Sequence, residues 1–344
     1  MRLGLVGYGN GGRHFHAPYI SAVPAIRLTG IVVSERTAMA AASDYPDVPR
    51  YSSLAELLMA GNVDAVTITT PPQTRRDLVR EAIAAGVHVI ADKPFAPTAE
   101  AGRELADLAT EAGVNLSVFH NRRWDADYRT LETVIGGGRL GDLVRVESRF
   151  DLDEPGGLDP GPHGGLLRDL GAHLVDQLLH LLGPARRVNA RLEMLATSGG
   201  PADAGFIVEI DHRSGVHSHV SATKCNRNIE KELRAYGTDG SFVSRSTDGQ
   251  TQAIFAGRRP AQDGDAWGYE PEHAWGTLRT AAGVERVPSE RGAYQDYYAQ
   301  FAAAFSGSGA YPVPAEEGIK VLEVLDAARE SAFEGRIVTL GQEA

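Results

Sequence analysis

The feature that most constrains this chain is its first dozen residues, Met1-Arg2-Leu3-Gly4-Leu5-Val6-Gly7-Tyr8-Gly9-Asn10-Gly11-Gly12. Gly7, Gly9 and Gly12 stand in the spacing G-x-G-x-x-G. Residues 3–6 read as a short strand before the motif, and residues 12–22 read as a helix after it. That strand–turn–helix context is what gives the motif its specificity. Gly7 permits the tight turn, Gly9 lets the backbone approach a pyrophosphate with no Cβ in the way, and Gly12 lets helix pack closely on strand. The helix N-terminus then offers unpaired N–H groups and the positive end of its dipole to a phosphate. Gly7, Tyr8, Gly9, Asn10, Gly11 and Gly12 are therefore candidate contacts to a dinucleotide.

The pattern that follows extends this unit. Strands are expected at 28–33, 63–69, 87–91 and 115–119, and helices at 54–60, 75–85 and 98–112. Thr98 is the candidate N-cap of the last helix, and Gly86 and Gly113 stand where helices end. Strands alternating with helices predict a doubly wound parallel sheet, an α/β domain of Rossmann type. Beyond residues 120–125 the pattern changes. Residues 142–150 alternate, with Val144, Val146, Ser148 and Phe150 on one side and Arg145, Glu147 and Arg149 on the other. Further strand-like runs lie near 187–195, 206–212, 216–222, 233–236 and 241–243, and Gly237-Thr238-Asp239-Gly240 has hairpin chemistry. The second half reads as an α+β domain with a large, mostly antiparallel open sheet. A length of 344 residues suits two domains, divided here as 1–122 for the dinucleotide and 123–344 for substrate binding and oligomerisation. Residues 151–168, rich in Gly, Pro and Asp, read either as a substrate loop or lid or as a surface excursion. Residues 244–290 are polar and weakly patterned.

With 45 acidic against 34 basic residues, the net charge is −11. So acidic a surface disfavours nucleic acid as a partner, while leaving room for local basic pockets. The single cysteine, Cys225, excludes an intramolecular disulfide and gives no sign of an oxidising compartment. It reads as a small buried or half-buried residue near a strand end. The apolar start is short and runs into the glycine turn, unlike a secretory leader. No run reaches the roughly 18 apolar residues of a membrane span. A cytoplasmic protein that binds no membrane is expected.

Three places carry chemistry. At the tip of the second strand, where NAD binders usually hold an acid, this chain has Ser34, Glu35 and Arg36. Ser34 can donate a hydrogen bond and Arg36 can supply charge to a 2′-phosphate, so NADP is favoured over NAD. A one-residue register shift would put Glu35 there and restore NAD, and Arg36 also reads as a solvated first-turn residue. After the fourth strand comes Asp92-Lys93-Pro94. Ligands of open parallel sheets bind beyond the carboxyl ends of strands, so Lys93 is placed to polarise a hydroxyl or carbonyl. Finally, Asp169, His173 and Asp176 stand at i, i+4 and i+7 of an expected helix ended by Gly183-Pro184. A carboxylate one turn from a histidine can orient it for proton transfer; the same spacing is also an ordinary polar stripe. His14 and His16 follow the phosphate turn and could line the pocket, but read rather as helix-surface residues. His217 and His219 share a strand face but lack a third spaced ligand, so no metal is expected.

Taken together, Gly7–Gly12, Thr70-Pro71-Pro72, Asp92-Lys93-Pro94 and Asp169-Leu170-Gly171-Ala172-His173-Leu174-Val175-Asp176 resemble the Gfo/Idh/MocA oxidoreductase family, over most of the chain and in order. His14-Phe15-His16-Ala17-Pro18, Phe119-His120-Asn121-Arg122-Arg123-Trp124-Asp125 and Leu140-Gly141-Asp142 are similar to its branch of NADP-dependent scyllo-inositol dehydrogenases. The resemblance implies that Lys93 is the catalytic lysine and that Asp169 and His173 are the acidic residue and the base. It implies that Thr70, Pro71, Pro72, Lys93 and Asn121 line the cofactor, and that Trp124 and His163 join Lys93, Asp169 and His173 on the substrate. It also implies a homodimer or homotetramer. Asp92 stands where the family usually has Glu, and Pro72 where it often has Asn. Residues 151–168 lack the expected Trp-Arg-type segment, which puts substrate identity in doubt.

The expected activity is hydride transfer between a nicotinamide dinucleotide and a secondary alcohol or ketone of a sugar, inositol or related polyol. Two rivals share the fold: an NAD-dependent glycoside hydrolase, and a non-catalytic dinucleotide-binding sensor. The presence of Lys93, Asp169 and His173 argues against the sensor, which needs no base.

Overall fold

The computed structural model describes residues 1–161, 164–245 and 248–341. They form two compact units: Met1–Asn121 with Gln250–Trp267 and Ala293–Ile319, and Arg122–Gly249 with Gly268–Gly292 and Lys320–Ala344.

The first unit is built on a parallel sheet, six-stranded among the described residues: β1 (Arg2–Val6), β2 (Arg27–Val32), β3 (Arg50–Tyr51), β4 (Ala65–Ile68), β5 (His88–Ala91) and β6 (Leu116–Val118). Its order is β3-β2-β1-β4-β5-β6. Leu3, Leu5, Val66, Ile68, Val89 and Ile90 are buried, as expected of parallel strands covered on both faces. The chain winds outward from β1 to β3, then returns to β4 and winds the other way. A reversal of this kind opens a crevice at the carboxyl ends of the two central strands. Gly7 and Thr69 stand at those ends, and their N–H groups donate to Val32 and Val6.

Local structure follows the residues closely. Thr98 caps the helix Ala99–Glu111 by accepting from the Ala101 N–H at 3.2 Å. The helix expected from residue 75 starts at Pro72, because a proline at the first helical position has no N–H to leave unpaired. The helix expected over 12–22 is two pieces, a π-helical turn Gly11–His16 and a short α-helix Ala17–Ile20. Pro18 falls in the first turn of the second piece, where its missing N–H costs nothing. Part of the weakly patterned stretch belongs to this unit. Trp267 and Tyr294 pack on Tyr19, and the Gln250 carbonyl accepts from the Trp267 indole and the Tyr294 amide.

The second unit carries a mostly antiparallel sheet, nine-stranded among the described residues. Its strands are β7 (Leu143–Asp153), β8 (Ala185–Thr197), β9 (Gly200–His212), β10 (His217–Thr223), β11 (Cys225–Gly237), β12 (Gly240–Ser244), β13 (Gly276–Thr280), β14 (Gly283–Val287) and β15 (Val338–Thr339). The order is β14-β13-β12-β11-β7-β10-β9-β8-β15, and β7 with β10 is the parallel pair. Leu174, Val175 and Leu178 of the helix Ala172–Leu182 are fully buried. Val146, Ser148 and Phe150 of β7 are buried as their alternation implies, but Val144 is 57% exposed. It precedes Arg145, where pairing with β10 begins, and so stands at the sheet rim. Cys225 is exposed rather than buried, because a register shift after it takes the start of β11 out of the regular ladder. The same pairing, Cys225 with Asp153 and Glu230 with Asp151, carries β7 three residues into the stretch read as a loop.

This unit also buries charge. The Lys231 ammonium lies 2.6 Å from Asp125 and 2.9 Å from Asp127, and Arg122 bridges Asp125 and Asp248. Buried cations and carboxylates persist only when so paired. Glu270 sits beside this cluster and is held by the Ser289 hydroxyl at 2.8 Å. Burial, reinforced by Asp127, pushes its carboxyl up to about 7. In the unfolded chain the same group loses its proton near 4.5. The folded state therefore holds a proton that the unfolded state has released, and the resulting stability is complete at low pH and is lost as pH rises toward 7. Glu270→Gln is expected to flatten the thermal midpoint across about pH 5 to 7 relative to wild type. An unchanged slope would exclude Glu270 as its source.

Candidate active site

The glycine turn has the geometry that its spacing implies. Gly7 adopts φ +102°, a conformation that side chains resist. A Cβ on Gly12 would stand 2.1 Å from the Gly7 carbonyl oxygen, so only glycine lets the helix approach β1. A Cβ on Gly9 would meet no protein atom within 4 Å. Its side of the turn is open, as an approaching pyrophosphate requires. Asn10 and Gly11 enter the π-helical turn, and Tyr8 turns inward, its hydroxyl donating to Asp44 at 2.9 Å. Arg13 pairs with the same carboxylate. At the tip of β2, Ser34 caps the helix Glu35–Asp44 in a reciprocal box with Thr37, and Arg36 is exposed in its first turn.

Past β4 and β5 the loops are strapped together. The buried Arg75 guanidinium donates to the Thr70 carbonyl at 2.7 Å and the Pro94 carbonyl at 2.6 Å. The Asp92 carboxylate accepts from the Lys93 amide at 2.8 Å and the Thr69 hydroxyl at 3.1 Å, and lies 3.5 Å from His16 Nε2. Burial would raise this carboxyl, but His16, Arg75 and Lys93 outweigh it and hold it well below the usual range. Lys93 itself is half-buried at the carboxyl end of β5. The Thr70 hydroxyl is buried with no hydrogen-bond partner among the described residues, an acceptor and donor suited to a bound ribose or amide. Pro71 and Pro72 open the following helix. Open space at Gly9 and the orphaned Thr70 hydroxyl fit a bound dinucleotide. His16 is a correction to the helix-surface reading: it is buried, its ring tilted against Phe119 with centroids 4.1 Å apart, and its Nδ1 lies 2.6 Å from the Tyr298 hydroxyl. Neither its role nor that of Arg75 was legible, since their partners lie far along the chain or on backbone carbonyls. Asn121 is buried at the end of this unit.

In the second unit Asp169 lies in a π-helical turn, Leu167–Gly171, that leads into the helix Ala172–Leu182 carrying His173 and Asp176. The three residues differ in burial. Asp176 is buried in a two-pronged pair with Arg123, at 2.8 and 2.6 Å. His173 is buried at 8% exposure, while the Asp169 side chain is 52% exposed and lies 3.2 Å from the Lys224 ammonium. Trp124 is buried in the turn Asn121–Trp124. His163 lies outside the described residues. His217 pairs with Asp211 at 3.1 Å, and among the described residues no three His, Cys, Asp or Glu side chains are grouped to hold a metal. Lys224 went unnoticed in the sequence because a single lysine between two strands has no motif.

Residues 1–120 match the family described as "Oxidoreductase family, NAD-binding Rossmann fold", and residues 133–340 match its "C-terminal alpha/beta domain". The chain belongs to the Gfo/Idh/MocA oxidoreductase family. It is 32% identical to the scyllo-inositol 2-dehydrogenase (NADP+) of Bacillus subtilis, over 99% of this chain and 96% of that one. It is 27% identical to the 1,5-anhydro-D-fructose reductase of Ensifer adhaerens, over 83% and 82% of the two chains. An oxidoreductase structure from Bacillus subtilis superposes with a TM-score of 0.90 at 32% identity, covering 99% of both chains. The protein is an NAD(P)-dependent oxidoreductase with a Rossmann domain. Among the described residues no helix is long and apolar enough to cross a membrane. Gly9→Ala is expected to fold like wild type, because its Cβ meets open space, yet to weaken dinucleotide binding at least about tenfold by blocking the pyrophosphate. Thermal shift with and without NADP checks both halves; undiminished stabilisation would place the cofactor elsewhere.

Proposed function

We propose that the protein is a cytoplasmic, NADP-preferring dehydrogenase or reductase of a secondary alcohol on a sugar, inositol or related polyol, the substrate being a small molecule bound chiefly by residues after 122. The observation that carries this reading is the braced Asp92-Lys93-Pro94 turn at the end of β5, held by Arg75 and Asp92 beside the crevice that the glycine turn opens. The bound nicotinamide supplies the hydride acceptor or donor. Gly7 to Gly12 hold the pyrophosphate, Thr70, Pro71, Pro72, Lys93 and Asn121 line the ribose and nicotinamide, and Ser34 and Arg36 take the 2′-phosphate. Lys93 polarises the substrate oxygen. His173 accepts the hydroxyl proton at a ring nitrogen, and Asp169 orients His173. Trp124 and His163 complete the substrate contacts. The relatives named for scyllo-inositol and anhydrofructose support the substrate class. The half-exposed side of β7 and β10, with Glu147, His217 and His219, supports pairing of subunits as a homodimer or homotetramer.

A panel of inositols, sugars and their ketones, followed by nicotinamide absorbance with NADP and NAD separately, tests the reading. Turnover is expected on at least one polyol, faster with NADP. Absence of turnover on every member would overturn the substrate class. His173→Ala and Lys93→Met should each lose about 10²–10⁴-fold in kcat while thermal stabilisation by NADP persists. Near-wild-type turnover in either variant removes that residue from the chemistry. Arg36→Ala should lower affinity for NADP and leave NAD unaffected; equal loss for both would assign the preference elsewhere.

A further inference from the structure

We propose that Lys224 is a positioning residue that ties the mouth of the loop after β7 to Asp169, so that loop position and carboxylate direction are set together and help select the substrate. This rests on the assignment of Asp169 made above. Lys224 is the one residue between β10 and β11, and its side chain is only 7% exposed. Lysine is seldom buried without specific partners. Here the ammonium donates to the Gly157 carbonyl at 3.0 Å and to Asp169 Oδ2 at 3.2 Å. The backbone of Lys224 is held as well, its N–H by the Ala204 carbonyl at 2.8 Å and its carbonyl by the Glu154 N–H at 3.0 Å. One residue thus joins β9, both ends of the turn Glu154–Gly157, and the π-helical turn that bears Asp169.

The burial is asymmetric, and that asymmetry carries the argument. The cation is sealed, while its carboxylate partner stays half open to solvent. An ion pair that served stability alone gains nothing from leaving Asp169 exposed. A methionine would fill the same stem volume without desolvating a charge. What the ammonium adds is direction: it fixes one oxygen of Asp169, and with it the plane of the carboxylate. Any substrate that displaces the Gly157 segment also moves the anchor of Asp169, so a poorly fitting polyol loses proton transfer as well as contact.

Turnover of Lys224→Met, Lys224→Gln and Lys224→Arg is compared in the wild-type and Asp169→Asn backgrounds. The assay uses scyllo-inositol with NADP, or whichever panel member wild type turns over fastest. Hydrogen exchange of residues 154–161 is followed in parallel. Lys224→Met and Lys224→Gln are expected to lower kcat about tenfold or more, to speed exchange in 154–161, and to leave NADP stabilisation unchanged, with Lys224→Arg recovering most of the loss. In the Asp169→Asn background the further loss should shrink to about twofold, since interacting residues are non-additive. Undiminished loss in that background, or wild-type exchange in Lys224→Gln, overturns the inference. If Asp169→Asn turns over like wild type, the role of Asp169 itself fails, and exchange alone then decides whether Lys224 anchors the loop. Should Lys224→Met fail to fold, Lys224→Gln carries the same comparisons.

Discussion

The contact on which the first unit depends is the one between Gly12 and the Gly7 carbonyl oxygen. No side chain larger than hydrogen fits between them. That closeness fixes the first helical turn against β1, and with it the direction in which the turn's N–H groups face. The reversal of strand order between β1 and β4 supplies the crevice, and the glycines make one wall of it accessible to backbone. Thr70, Asp92 and Lys93 follow the neighbouring strand ends, and Arg75 reaches them from the helix that begins at Pro72. Their arrangement follows from sheet order before any side chain is considered.

Much of this was legible in the residues because it is local. The parallel sheet, the Thr98 cap and the hairpin at Gly237–Gly240 each rest on periodicity or turn chemistry within a few positions. The glycine turn needed only its spacing and its flanks. What escaped reading is what depends on distant partners. His16 sits four residues past the phosphate-turn motif, yet its burial is decided by Phe119 and Tyr298. Lys224 has meaning only when β10 and β11 bring it to Asp169 and Gly157. The segment 250–267 lies in the stretch that read as weakly patterned, because its decisive contact, Trp267 on Tyr19, spans most of the chain.

The second unit solves a different problem. Its helices cover one side of a large antiparallel sheet, and polar groups are buried beneath them. Lys231, Arg122, Asp125, Asp127 and Asp248 satisfy one another, so the cost of desolvation is met within a single cluster. Asp176 with Arg123 does the same beside His173 in sequence. Such pairs restrict which packings the helices can adopt, which suits the roles proposed for Asp169 and His173.

Two segments that carry proposed site residues, Gly11–His16 and Leu167–Gly171, share an uncommon local form, a π-helical turn running directly into an α-helix. A π-helical turn holds one residue more than an α-helical turn in the same span. Each segment is therefore a helix with a residue of slack. Loss of that residue would restore α-helical winding within the turn itself and change which of its N–H and carbonyl groups pair. In the first unit the affected residues run from Gly11 to His16, and in the second from Leu167 to Gly171, Asp169 among them. Length, as much as residue identity, is thus part of what these two segments encode, and a single deletion there would be felt more than most substitutions.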